Sequence, residues 1–296
     1  MYPVKRLASA VVAIAALAVV AAAGASSLAQ SRIAFASNRS GDSEIFVMNP
    51  DGAGVHRLTR SPKFDSPVQW SADGKKLLFY SQRGGQGDVY TMNGDGTGVR
   101  NLTRNPAFDA PGSWSPDGTS VVFWSNRDGG NDVYVMDAGG GHVKRLTDDP
   151  ATDGNPAWSP DGKSIAFTSD RSGSPEIYVM NADGSDQRPL TTGRGAHDFA
   201  HWRPDGGKLT FVGGTKHRPE IDEINPDGTG LHAILRDTTY IGGFSWSPDG
   251  RKLVFSSGRD QGAGELYVVN ADGSGLRRLT TNRFGDSAPV WSPALR

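Results

Sequence analysis

Residues 158–184 read WSPDGKSIAFTSDRSGSPEIYVMNADG, and near copies of this stretch lie on both sides of it in a chain of 296 residues. Trp70, Trp114, Trp158, Trp202 and Trp246 follow one another at intervals of 44 residues, and Trp291 comes 45 later. Trp-Ser-Pro-Asp-Gly recurs at Trp114, Trp158 and Trp246, with variants at Trp70-Ser71-Ala72-Asp73-Gly74 and Trp202-Arg203-Pro204-Asp205-Gly206. Next come an apolar run ending in Phe (Phe35, Phe79, Phe123, Phe167, Phe211, Phe255), a Ser-x-Arg loop, and a segment of the type Glu-Ile-Tyr-Val-Met-Asn. A Leu-Thr pair closes most copies, as in Leu58-Thr59 and Leu279-Thr280.

Each copy thus holds four short strands rich in Val, Ile, Phe, Tyr and Thr, separated by Pro-Asp-Gly and Asn-x-Asp-Gly turns that reverse the chain within a few residues. No segment after residue 30 carries a helical apolar period of ten residues or more. Four antiparallel strands per repeat of this length are the mark of a β-propeller blade rather than of a helical solenoid. The chain starts this pattern at Arg32 with a Phe strand and no Trp strand, and ends it at Trp291 with no Phe strand after it. Pairing the strand around Trp291 beside Ile33–Ser37 removes both exposed edges. The expectation is an all-β, six-bladed propeller of four-stranded antiparallel blades, spanning residues 30–296 as one domain, with the Trp strand innermost.

Composition agrees with that fold class. Gly (39) and Pro (18) are abundant, and 31 Lys plus Arg are scattered among 32 Asp plus Glu. Such mixing marks neither a nucleic-acid-binding nor a membrane-surface protein. Residues 1–29 differ: Lys5 and Arg6 precede an apolar stretch to about Ala25, and Ser27 and Ala29 stand at the positions read by a signal peptidase. This predicts a signal peptide cleaved near Ala29 and a periplasmic or extracellular protein; the other reading is an uncleaved anchor. The mature chain has no candidate membrane span, and a monomer is expected. With no Cys there is neither a disulfide framework nor a cysteine-ligated metal.

Residues that recur in every copy are expected to hold shape, since an active site is needed once. Trp70, Trp114, Trp158, Trp202, Trp246 and Trp291 are expected between blades with the indole N–H satisfied. Arg39, Arg83, Arg127, Arg171 and Arg259 of the Ser-x-Arg loops share a face with Asp65, Asp109, Asp153 and Asp286, five residues before Trp. A guanidinium fork and a carboxylate predict a bridge repeated between blades. The Asn-x-Asp-Gly-x-Gly stretches lack the closing Glu of a calcium loop and read as hairpin turns.

Function is sought where a copy departs from the rest, and the fifth departs most. His197 takes the aspartate position, Gly213 and Thr215 replace Ser and Arg, Arg203 replaces Ser, and Asp222 and Glu223 stand where Tyr and Val are usual. His197, Asp198, His201, Lys216 and His217 form the candidate binding group, for a ligand or for a metal such as zinc or nickel. The other reading is a blade that drifted once its Arg–Asp pair was lost. No catalytic residue is assigned, because no nucleophile elbow, metalloprotease motif or phosphate loop is present. No metal site or cofactor is assigned either.

Trp-Ser-Pro-Asp-Gly-x-x-Ile-x-Phe-x-Ser-x-Arg, followed by Glu-Ile-Tyr-Val-Met-Asn-x-Asp-Gly and Arg-Leu-Thr, resembles the TolB-type propeller repeat, which is related to the WD-repeat propellers. The resemblance covers essentially the whole mature chain and implies the same fold. It implies a partner-binding role: TolB is a periplasmic component of the Tol–Pal envelope system and binds a peptidoglycan-associated lipoprotein. The expectation is a propeller without the α/β domain that precedes it in TolB and without the hydrolase domain that follows it in prolyl-oligopeptidase-like and tricorn-like peptidases. Some oligogalacturonate lyases resemble this fold with metal-binding histidines in the channel. The expectation is therefore a secreted or periplasmic, non-enzymatic scaffold for a protein or peptide partner. The alternative is a metal-dependent polysaccharide lyase or hydrolase at the fifth blade.

Overall fold

The structure, a computed structural model, describes residues 31–193, 195–215, 218–237, 239–260 and 263–294. The signal-peptide expectation for residues 1–29 lies outside them. The described residues form six four-stranded antiparallel sheets and no helix, so none is long and apolar enough to cross a membrane. Blade 2 shows the plan, with strands Asp65–Trp70, Lys76–Ser81, Asp88–Asn93 and Arg100–Asn101 running from the axis outward. Blades 3 to 6 repeat it from Asp109, Asp153, Asp198 and Ile241. Blade 1 is assembled from both ends of the chain: Asp286–Trp291 is its inner strand, followed by Ile33–Ser40, Asp42–Met48 and His56–Arg57.

Each blade is sandwiched between two others, so its middle strands are buried on both faces. This explains why they read as continuous apolar runs instead of alternating. Leu77, Leu78 and Phe79 are consecutive and all fully buried. Phe79 and Trp70 pack on Ala34, Ile45, Val47 and Leu58 of blade 1, whereas Leu78 meets Trp114 and Phe123 of blade 3. The tryptophans do lie between blades, but only half satisfy the indole N–H. Trp202 donates to the Ala157 carbonyl (3.2 Å), Trp246 to Thr210 Oγ1 (3.0 Å) and Trp291 to Ser31 Oγ (2.8 Å). The N–H groups of Trp70, Trp114 and Trp158 are buried without an acceptor.

Glycine is required where blades come closest. The turn glycines Gly52 and Gly96, with φ of 94° and 85°, lie under the carbonyls of Leu279 and Leu58 in the preceding blade. A Cβ at either would sit 2.7 Å from that oxygen. Only glycine combines a positive φ with so close an approach. In the same turns Asp95 Oδ1 accepts from Thr97 N (2.9 Å) and Thr97 Oγ1 (2.6 Å), which lowers its pKa. The carboxylate is engaged within its own turn, the arrangement of a hairpin.

Closure uses the pairing of Ile33 with Trp291, Ala34 with Val290 and Ser37 with Asp286. Arg39 Nη2 donates to both Asp286 oxygens at 2.8 and 2.9 Å, and Ser292 N donates to the Arg32 carbonyl at 2.7 Å. The same ion pair recurs as Arg83–Asp65 (2.6 Å), Arg127–Asp109 (2.8 Å) and Arg171–Asp153 (2.7 Å). These pairs lie within a blade, which corrects the expectation of bridges between blades. Antiparallel pairing sets Ser81 opposite Asp65, so the arginine two residues beyond Ser81 falls over the aspartate of its own sheet. Blade 6 has Ile241 at the aspartate position, and Asp237 of the preceding linker pairs with Arg259 instead (2.6 Å). In these five blades the guanidinium also lies over the conserved-register Phe and the facing Phe or Tyr, 4.9 to 5.4 Å from each ring centroid.

Because the Asp286 side chain is fully buried and that of Arg39 is only 21% exposed, Arg39→Ala strands a carboxylate. The expected loss is about 3 kcal/mol in urea unfolding, the low end for a broken buried pair. Lys75→Ala, which removes an exposed partner of Asp73, is expected to leave the midpoint unchanged.

Candidate functional site

The fifth blade, with strands Asp198–Trp202, Leu209–Thr215, Arg218–Ile224 and His232–Arg236, departs from the pattern in linked sets. Thr215 leaves no arginine for the residue at the aspartate position, which is His197. In blade 4, Pro189 stands where Arg57 and Arg145 pair with Glu44 and Asp132, so Glu176 has lost its own arginine. The two widowed residues pair with each other: His197 Nδ1 is 2.6 Å from Glu176 Oε2, and its backbone N donates to the Pro175 carbonyl (2.9 Å). His197 is buried and stands edge-on to Phe211, 5.2 Å between centroids.

Asp222 takes the place of the aromatic that faces Phe in the other blades, and Gly213 makes room for it. A Cβ at 213 would collide with Asp222 Oδ2. On the opposite face Arg203 Nη1 and Lys208 Nζ both reach the buried Glu223 at 2.9 Å, and the Arg203 guanidinium lies 4.5 Å from the Trp246 ring. These substitutions compensate one another structurally.

The structure therefore separates the candidate residues. His197 belongs to the seam between blades 4 and 5. His201 lines the central channel, edge-on to Phe244 at 5.0 Å, and burial lowers its pKa to about 4, so it is neutral at physiological pH. Asp198 Oδ1 accepts from Asn155 Nδ2 (2.8 Å), Thr168 Oγ1 (2.7 Å) and the Phe199 N–H (2.7 Å). Lys216 and His217 lie outside the described residues. Among the described residues no three His, Cys, Asp or Glu side chains are grouped to hold a metal ion.

The Asp198 network fixes the neighbouring residue, which the repeat pattern did not single out. Inner strands carry a bulge three residues before Trp, where Asn155, Phe199 and Ala288 have φ of 50°, 55° and 46°. A bulky side chain in that region is strained. Phe199 is nonetheless 47% exposed and faces the channel. The channel holds about 770 Å³ and is walled by Pro67, Pro111, Pro156, Phe199, His201 and Phe244 among others. Its Pro-Asp-Gly mouth is rimmed by Pro116, Pro160, Pro204, Pro248 and Pro293, with Ala72 in the sixth place. Such a wall is apolar, carries few polar groups and bears no ionised side chain at neutral pH. It suits uncharged extended chain better than a multiply charged ligand.

A family model described as TolB beta propeller domain matches residues 3–111 and 104–295. TolB from Acinetobacter baumannii superposes with a TM-score of 0.79 at 24% identity, over 88% of this chain and 66% of that one, so the chain spans just under two thirds of its length. A TolB-type protein from Agrobacterium tumefaciens gives 0.69 at 23% identity, covering 87% of this chain and 91% of that chain. An oligogalacturonate lyase in complex with manganese gives 0.59 at 16%, covering 85% and 74%. At these identities the likenesses speak for fold. No curated protein sequence matches the chain.

Burial, and after it the neighbouring Glu220 carboxylate, raise Asp222 from 3.8 to about 6. A carboxyl that binds its proton more tightly when folded contributes stability below its unfolded pKa and loses it as pH rises through the folded value. Asp222→Asn is thus expected to be more stable than the parent by about 2 kcal/mol at pH 8. The gap should close by pH 4, as read from urea midpoints at both pH values.

Proposed function

This chain belongs to the TolB β-propeller domain family, and from that premise we propose that it is an exported, non-enzymatic scaffold whose central channel takes an extended segment of an envelope protein. Export is supported by the basic start, apolar run and small residues at 27 and 29. The scaffold role is supported by where the polar residues go: the repeated Arg, Asp and Glu side chains are spent on ion pairs inside blades. A closed ring holds its lining residues in place before binding, so a ligand segment meets a site with little left to order.

The observation that carries the reading is Phe199. Five of the six equivalent positions hold Pro67, Pro111, Asn155, Gly243 and Ala288, all small or compact. A large aromatic ring at a positive φ is unfavourable for the fold, and strain of this kind marks a residue kept for what it touches. Here it offers an apolar face to whatever enters the channel, while Asp198 holds its backbone. Of the three histidines that favoured a metal-dependent sugar enzyme, His197 lies in a seam, His201 in the channel wall and His217 outside the described residues, so that reading gains no support.

Phe199→Gly separates the two roles. Relief of the backbone strain is expected to hold or raise stability, by about 1 kcal/mol, while partner affinity falls at least tenfold, about 1.4 kcal/mol. A photo-crosslinking residue at 199 in the chain starting at Gln30, exposed to an envelope extract, should capture the partner, and one at Val143 on the outer edge should not. Equal capture at both positions, or unchanged affinity of the glycine variant for the captured partner, would refute channel binding.

A further inference from the structure

A second departure from the repeat lies on the Ser-x-Arg face of blades 2 and 3, outside the channel and independent of the reading above. Phe64, Tyr80, Phe108 and Trp124 form a continuous run of rings with successive centroids 5.8, 5.7 and 5.0 Å apart. Phe64 is 41% exposed and the other three are half-buried. Tyr80 and Trp124 follow the buried Phe of their strands, where other blades carry Ala36, Thr168, Val212 and Ser256. Phe64 and Phe108 precede the inner strand, where three other blades have Thr152, Ala196 and Gly285 and blade 6 has Tyr240. Blades 1, 4 and 5 are thus built without an aromatic at either position. The four rings cross the seam between two blades, where Tyr80 meets Phe108.

Three features narrow what would lie on them. Successive rings are inclined by 65°, 42° and 42°, so the surface is ridged rather than a row of coplanar plates. Arg83 and Arg127 are committed to Asp65 and Asp109, and the uncharged Gln82 and Asn126 flank Tyr80 and Trp124, so the cation next in sequence to a ring is the exposed Lys63, beside Phe64 at one end of the strip. Donors are available along the ridge. Tyr80 Oη accepts from Gln82 Nε2 (3.0 Å), which leaves its own proton to give, and the Trp124 N–H has no acceptor among the described residues. From this we infer that the strip is a docking site for a proline-rich segment in the polyproline II conformation. That helix is ridged, has no internal hydrogen bonds, and presents free carbonyls to Tyr and Trp donors between its pyrrolidine rings. It is also ordered before binding, so a shallow strip suffices.

The test titrates a decaproline peptide into the chain starting at Gln30, following Trp fluorescence and calorimetric heat. Saturable binding is expected for the parent. Tyr80→Ser and Trp124→Thr place there the residues that blades 6 and 4 carry, so folding should persist, as checked by thermal unfolding. Each should weaken binding at least tenfold, while Val143→Ala, at the exposed outer edge of blade 3, leaves it unchanged. The inference fails if decaproline does not saturate, if either variant binds as the parent does, or if a neutral oligosaccharide such as cellohexaose binds the strip and decaproline does not.

Discussion

The antiparallel pairing of Asp286–Trp291 with Ile33–Ser40 is the constraint on which everything else in this molecule rests. Without it, two edge strands would be open and the blade 1 face that receives Trp70 and Phe79 would lose its inner strand. With it, every blade has two neighbours, and the middle strands become apolar on both sides. The Arg39–Asp286 pair sits at the joint and is the same device used inside blades 2, 3 and 4, so the joint is chemically indistinguishable from the rest of the ring.

Blade 5 shows how such a ring tolerates change. Its network was rewired across a blade boundary: the histidine without an arginine meets the glutamate without one. The buried Glu223 is met by Arg203 and Lys208. A lone buried charge would be destabilising by several kcal/mol, which is why these substitutions come as sets. What remains free of such pairing is the channel wall and the aromatic strip. Both are places where a large ring departs from its register and no ion pair accompanies the change.

The fold was legible because its evidence is periodic: Trp at a constant interval, Phe runs, and Asp-Gly turns are local signals that repeat six times. The location of the ion pairs was not. Sequence register put arginine and aspartate on one face, but whether they join within or between blades depends on which strand is next in the sheet, and Asp237 stands outside the register altogether. For the candidate site, departure from the repeat singled out the fifth blade with Asp198 and His197 but not Phe199, whose position at the bulge appears only in the structure. Imidazoles are conspicuous in a sequence, whereas a strained φ is a property of the bulge and leaves no mark on residue type. The aromatic strip escaped notice for another reason: its rings come from two blades and join only across the seam.

The hydrogen bonds between Arg32 and Ser292 put the two ends of the described chain side by side on the Pro-Asp-Gly face, at the inner end of blade 1, where Pro293 lines the channel mouth. A segment joined ahead of Ser31 or after Ala294 therefore starts beside that opening and not at the outer circumference of the disc. A tether attached there would turn this opening toward its support and leave the opposite one facing away. The place where a circle begins is arbitrary, and a reordered gene that starts at another blade would describe the same object while moving the point of attachment to another place around the mouth.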